Sequence, residues 1–137
     1  MRVLSFFIFV FLTSNLISQN LEKHHWKDRL LLVFADRKTS EKLNSQIHLL
    51  SKDKTGLLER KLVIYQVVKN KFRTNLNTDW ILSTKSLKPY RKKSAGFEVI
   101  LIGLDGGVKH RQTKILSLEK LLALIDGMPM RKRVLKN

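Results

Sequence analysis

The sequence predicts an α/β domain made of a parallel β-α-β unit, an antiparallel hairpin and a closing helix, and three observations predict it. Short apolar runs stand at 30–35, 62–68 and 97–104, with the length and composition of strands buried on both faces. Between the first two, Leu43, Ile47 and Leu50 repeat at helical spacing. After the third, Asp105-Gly106 is a hairpin signal, followed by an amphipathic stretch. At 137 residues the chain has the length of one domain.

The elements follow in order. Met1-Arg2 leads into Val3 to Leu12, apolar except for Ser5, and then into Thr13-Ser14-Asn15 and Ser18. This is the pattern of a secretory signal peptide. A membrane span needs about 20 apolar residues and the run has roughly half that. Cleavage after Ser18 is expected, with residues 19–137 forming a secreted or periplasmic product. Residues 19–28 are polar. Leu30 to Ala35 reads as strand one. Ser40 is a fitting N-cap for the helix carrying Leu43, Ile47 and Leu50, with Glu41 in its first turn and Gly56 at its end. Leu62 to Val68, interrupted only by Gln66, is a second strand, so the two strands and the helix form a β-α-β unit with parallel strands. Residues 69–96 read as a basic, irregular excursion with a short helix around Thr78 to Leu82. Strand three is Phe97 to Leu104, and Val108 to Gln112 returns after the turn. Ser117 caps a helix with Leu118, Leu121, Leu122 and Ile125 on one face, Gly127 stands at an αL cap position, and Pro129 ends it. A basic tail, 131–137, closes the chain.

Charge and cysteine usage restrict function. The net charge is +16, and the leader carries only Arg2, so the mature part keeps +15. Such a charge attracts polyanions and strains the compact state by self-repulsion. For an exported product the expected partners are anionic polysaccharide, lipopolysaccharide or an anionic membrane surface, and an envelope protein is the alternative; export argues against intracellular nucleic acid. There is no cysteine. The chain therefore has no thiol nucleophile, no thiolate metal ligand and no redox pair.

The β-α-β, β-β-α order is that of a minimal thioredoxin-like domain. The segments Trp26-Lys27-Asp28-Arg29, Gly103-Leu104-Asp105-Gly106-Gly107-Val108-Lys109 and Asp126-Gly127-Met128-Pro129-Met130-Arg131 sharpen this. They resemble the thioredoxin-like domain of unknown function numbered 4174, the P-DUDES domain, over roughly residues 24–131. The resemblance implies a thioredoxin or peroxiredoxin-like fold, found alone in bacterial exported proteins and within sushi-repeat matrix proteins of vertebrates, where an adhesive role is implied. It supplies no catalytic residues. Leu104, Lys61 and Val134 depart from its usual pattern and make this chain more basic. A thioredoxin places its dithiol at the N-terminus of the first crossover helix, where Asp36-Arg37-Lys38-Thr39-Ser40 stand here, and a cis-proline before its third strand, where Ala95-Gly96 stand.

The remaining constellations read as structure. His24-His25, with His48 and His110 elsewhere, lack the spacing of three or four converging ligands and read as solvated residues, so no metal and no cofactor is expected. Ser40 and Ser117 read as caps, there is no Gly-x-Ser-x-Gly, and the few acids sit at element ends, which points away from an enzyme. An enzyme, if present, would use the crevice near Asp36. The glycines at 103–107 fit a hairpin and not a phosphate loop. Trp26 and Trp80 read as packing residues, Tyr90 as a loop anchor, and Met128 and Met130 as packing of the chain end onto the sheet. Four basic clusters, 69–73, 85–93, 109–114 and 131–136, are separated by little acid. The candidate polyanion-binding residues are Lys88, Arg91, Lys92, Lys93, Lys109, Arg111, Arg131, Lys132 and Arg133.

Overall fold

The computed structural model describes residues 19–75, 79–82, 87–91 and 96–136. The expected leader, with its cleavage site, and the basic residues Lys92 and Lys93 lie outside the described residues. Among the described residues no helix is long and apolar enough to cross a membrane.

The chain forms α1 (Gln19–Glu22), β1 (Arg29–Ala35), α2 (Glu41–Ser51), α3 (Lys54–Glu59) and β2 (Leu62–Val68). It continues with β3 (Lys71–Thr74), β4 (Ile81–Leu82), a 3₁₀ turn (Lys88–Tyr90), β5 (Phe97–Ile102), β6 (Val108–Gln112), α4 (Leu118–Asp126) and α5 (Pro129–Lys136). One six-stranded sheet runs in the order β4-β3-β2-β1-β5-β6. β1 and β2 are parallel, with Leu31 opposite Ile64, and β1 is antiparallel to β5, with Leu31 opposite Leu101. This is the predicted parallel pair plus antiparallel hairpin, the thioredoxin-like order.

Continuous apolar strands are explained by burial on both faces. Leu31, Val33 and Ala35 pack with Leu43, Leu50, Leu57, Leu121 and Ile125 from the helices. Leu30, Leu32 and Phe34 point the other way and pack with Tyr65, Leu87 and Ile100. Ser40 and Ser117 cap their helices as expected, accepting from the backbone N–H groups of Leu43 and Lys120.

Several local expectations are corrected. Gly56 does not end the first helix: it lies inside α3, whose N-cap carboxylate, Asp53, accepts from the Gly56 N–H. A Cβ at Gly56 would run into that carboxylate, so the capped geometry favours glycine there. Ile81–Leu82 is not helical but a short edge strand paired with Phe72 and Lys71. β3 precedes it and forms a two-residue hairpin with β2 through Lys69-Asn70, where Lys69 takes φ 54. The excursion is therefore partly sheet: β3 carries basic residues at alternate positions and is half-exposed, and β4 is only two residues long, so neither shows as an apolar run. Gly127 has right-handed backbone angles, φ −77 and ψ −10, rather than αL. Pro129 does not stop the chain from being helical, because it opens α5, where its missing N–H costs nothing. Met130 is exposed, whereas Met128 packs on the core as expected.

Candidate functional site

The register divides the candidate cations between the two ends of the sheet. Arg29 opens β1 and Asp36 follows it, so the ends of β1 are separated by its seven residues, about 20 Å. Arg91 and Arg111 stand toward the Asp36 end. Lys109 and the α5 residues Arg131, Lys132 and Arg133 stand toward the Arg29 end, where β5 turns into β6.

At the Asp36 end, an open groove of about 570 Å³ lies beyond the carboxyl end of β1, lined by Asp36, Arg37, Thr39, Ser40, Glu41, Lys42, Gly96, Phe97 and Thr113. This is the crevice that parallel α/β sheets use for ligands. The Asp36 N–H donates to the Gly96 carbonyl, which ties the loop to the start of β5. The Asp36 carboxylate accepts from Arg91 at 3.2 Å. Beside the groove, Trp80 packs on the core with the Lys38 ammonium 5.0 Å and the Arg73 guanidinium 4.6 Å from its ring centre. Arg73 also donates to the buried Gln66, whose amide donates to the Asn75 carbonyl. Trp80 is thus a packing residue, as expected, and it gathers cations from β3 and the β1–α2 loop. Charge clusters in the sequence did not include Arg37, Lys38 and Lys42, because acids interrupt them there.

What the groove offers chemically is limited. Ser40 Oγ is occupied as the helix cap. Asp36 faces Arg91 rather than a histidine. Among the described residues no group of three or more histidines and acids converges to hold a metal ion.

Below the sheet, Glu98 is fully buried and accepts from Arg111 at 2.6 Å, while Arg111 also donates to the Tyr90 carbonyl. Tyr90 packs on the Phe34 face, so the loop-anchor reading holds. The Arg91 guanidinium lies 5.8 Å from the Phe34 ring. At the other end, Arg60 clamps Asp126 with two hydrogen bonds of 3.0 and 2.9 Å, and Arg131 bridges Asp126 and Glu59. The hydrogen bond from Arg60 holds the Asp126 carboxyl below the usual carboxylate range. Arg29 is buried beside them; burial, then the neighbouring Arg131 charge, lowers its guanidinium, and its Nε has no hydrogen-bond partner. Lys109 reaches back to Asp105, and this bond with the Gly107 N–H pulls the Asp105 carboxyl down.

Of the nine candidate cations, Arg91, Lys109, Arg111 and Arg131 are thus engaged with carboxylates. Lys132 and Arg133 are exposed on α5, and Lys88 lies in the 3₁₀ turn.

The histidine pair departs from the solvated reading at one position. His24 is buried, with Nδ1 2.7 Å from Asp28 and Nε2 2.7 Å from the Tyr65 hydroxyl. Burial, then the Asp28 charge, pushes Tyr65 up to about 12. The three residues pin the N-terminal segment to the sheet. A polar stretch gives no periodic signal of such burial, and only the i,i+4 spacing of His24 and Asp28 hinted at it. Trp26 is also a correction: its side chain is 59 % exposed and does not pack in the core.

Comparison with solved structures identifies the architecture. The reduced 2-Cys peroxiredoxin of Plasmodium vivax superposes with a TM-score of 0.59 and 17% identity, covering 82% of this chain and 84% of that one. The mitochondrial 2-Cys peroxiredoxin of Plasmodium falciparum gives 0.55 and 12%, covering 77% and 78%. At these identities the likeness is one of fold. A search of curated protein sequences gives no match. The domain-of-unknown-function model DUF4174 matches residues 20–133, nearly the whole described chain, and the protein belongs to that family.

Proposed function

We propose that this protein is an exported, redox-inactive, non-enzymatic binding module that engages an anionic polymer or cell-surface component through exposed cations. The observation that carries this reading is a division of labour between arginine and lysine. The structural ion pairs are made mostly by arginines, namely Arg60, Arg91, Arg111 and Arg131. Six of the eleven acids are taken up in such pairs. The lysines Lys23, Lys27, Lys38, Lys42, Lys61 and Lys132 are exposed. The chain thus carries a large excess of positive charge that its own fold does not consume. Anionic polysaccharide, lipopolysaccharide and an anionic membrane surface are the partners such a surface attracts. The groove that corresponds to the redox centre of thioredoxins holds no sulfur here, which supports a binding role.

Retention on an immobilised sulfated polysaccharide, measured across a salt series, tests the reading. Binding is expected to fall steeply with salt. The double variant Lys132→Glu/Arg133→Glu is expected to elute earlier. Retention that ignores salt would overturn the electrostatic mechanism. A second reading, a scaffold for envelope proteins, is favoured by the edge strand β4, whose Ile81 and Leu82 are 54% and 69% exposed. On that reading, partner capture survives the charge reversal and fails on Ile81→Lys.

A further inference from the structure

The β5–β6 end of the sheet carries a feature that charge does not explain. Trp26 has φ 66, a region that bulky residues avoid, and its indole is largely in water. Three contacts hold it there. Its backbone N–H donates to the Leu104 carbonyl at 2.7 Å. Its ring stacks on His25, centroids 5.1 Å apart and planes within 14°. His25 Nε2 in turn donates to the Asp105 carbonyl at 2.9 Å, across the turn at Gly106. The ring pair is therefore fixed to the hairpin and not to the core. For folding alone this arrangement is unfavourable twice over, since it exposes an apolar ring and strains the backbone, and glycine or asparagine would relieve both. His25 covers one indole face, and Trp26 still keeps 59% of its surface exposed. The exposed Lys23 and Lys27 bracket the pair in the chain.

We infer that Trp26 is the stacking platform of a site for an acidic saccharide. This rests on the polyanion reading above and names its ligand class. A pyranose ring presents a C–H face that stacks on an indole, while its carboxylate or sulfate meets the flanking lysines. A phosphate headgroup needs no flat ring. A nucleic-acid strand also stacks, but such sites set successive bases on successive aromatics, and this end of the sheet offers one exposed indole. Sequence reading alone placed Trp26 in the packing, and only the left-handed backbone and the exposure separate it from Trp80.

The test uses the full-length protein with Trp80→Phe, which leaves Trp26 as the only tryptophan. Its fluorescence is followed on titration with a tetragalacturonate and with the carboxyl-reduced tetrasaccharide. The inference expects a saturable change with the acidic sugar and at least tenfold weaker binding of the neutral one. Trp26→Asn, in the native background and read by calorimetry, is expected to bind the acidic sugar about tenfold more weakly while its melting temperature rises. Trp26→Phe, with a smaller ring, is expected to fall between. Unchanged affinity in Trp26→Asn overturns the platform, as does tighter binding of an oligothymidylate than of the tetragalacturonate. If the platform fails while salt-dependent retention on sulfated polysaccharide persists, the broader binding reading stands without it. If retention itself is absent, the broader reading has failed.

Discussion

On one face of the sheet, α2, α3 and α4 lay leucines and Ile125 over Leu31, Val33 and Leu101. The fully buried polar groups on that side are uncharged amides: Gln46 has both ends bonded to the Leu116 backbone at 2.9 and 2.7 Å, and Gln66 accepts from Arg73 and donates to the Asn75 carbonyl. Among the described residues the opposite face carries no long helix. It is covered by the N-terminal segment and by residues 87–91, through Leu21, Leu87 and Tyr90. Buried beneath these strips are Glu98 and the Asp28–His24–Tyr65 chain. The first face is held by area and the second by named polar partners. Apolar burial degrades gradually as atoms are removed, whereas a desolvated charge depends on one partner.

Breaking one partner on the second face should therefore cost more than trimming a leucine on the first. Leu121→Ala is expected to lose about 3 kcal/mol by denaturant unfolding. Glu98→Ala, which leaves Arg111 half-buried and unpaired, is expected to lose about 4 kcal/mol. Replacing Glu98 and Arg111 together by leucine should recover most of that loss. If the double variant is no better than Glu98→Ala, the second face is held by area after all and the contrast fails.

The Asp126 clamp is the next largest effect. It lies where α4 and α5 meet α3, so it tests whether the helical face also relies on charge at its margin. With its folded-state pKa below the ordinary carboxylate value, Asp126 contributes stability above that value, and the contribution is lost as pH falls below about 4. Asp126→Asn is expected to cost about 2 kcal/mol at neutral pH. It should also flatten the acid limb of the stability curve. Retention of the wild-type acid limb would remove Asp126 from that role.

How much of this was legible follows the same division. Strands 30–35, 62–68 and 97–104 (the last ending two residues earlier, at Ile102), both serine caps and the Asp105-Gly106 turn are legible because each repeats a periodic or local rule. The thioredoxin-like order followed from them. β3 gives no apolar run because Lys71 and Arg73 alternate with Phe72 and Thr74, and β4, only Ile81-Leu82, is too short for a period and reads as part of a helical turn. The burial of His24 is not legible because only Asp28 is near it in the chain, while its second partner, Tyr65, lies 41 residues away. Of the candidate cations, Arg111 and Arg131 were selected for charge, but their charge faces Glu98 and Asp126. Sequence clusters report where cations are, not which of them the fold consumes.

The smallest effect tests the covering strip itself. Tyr65→Phe removes the hydroxyl bonded to His24 and leaves the ring stacked on Phe72. If the N-terminal segment is held mainly by that hydrogen bond, the loss at neutral pH is about 1 kcal/mol. Hydrogen exchange should then quicken at residues 24–28 and not in α4. The hydroxyl also sets an alkaline signature. Its pKa is raised from 10.0 to about 12 in the folded state, so its contribution is complete below pH 10 and is lost as pH rises toward 12. Tyr65→Phe should be less sensitive than the wild type across that interval, although it is less stable at pH 7. An unchanged alkaline limb, with exchange quickened equally on both faces, would mean that the strip is held by Leu21 and the apolar contacts. The two sides of the sheet would then follow one rule.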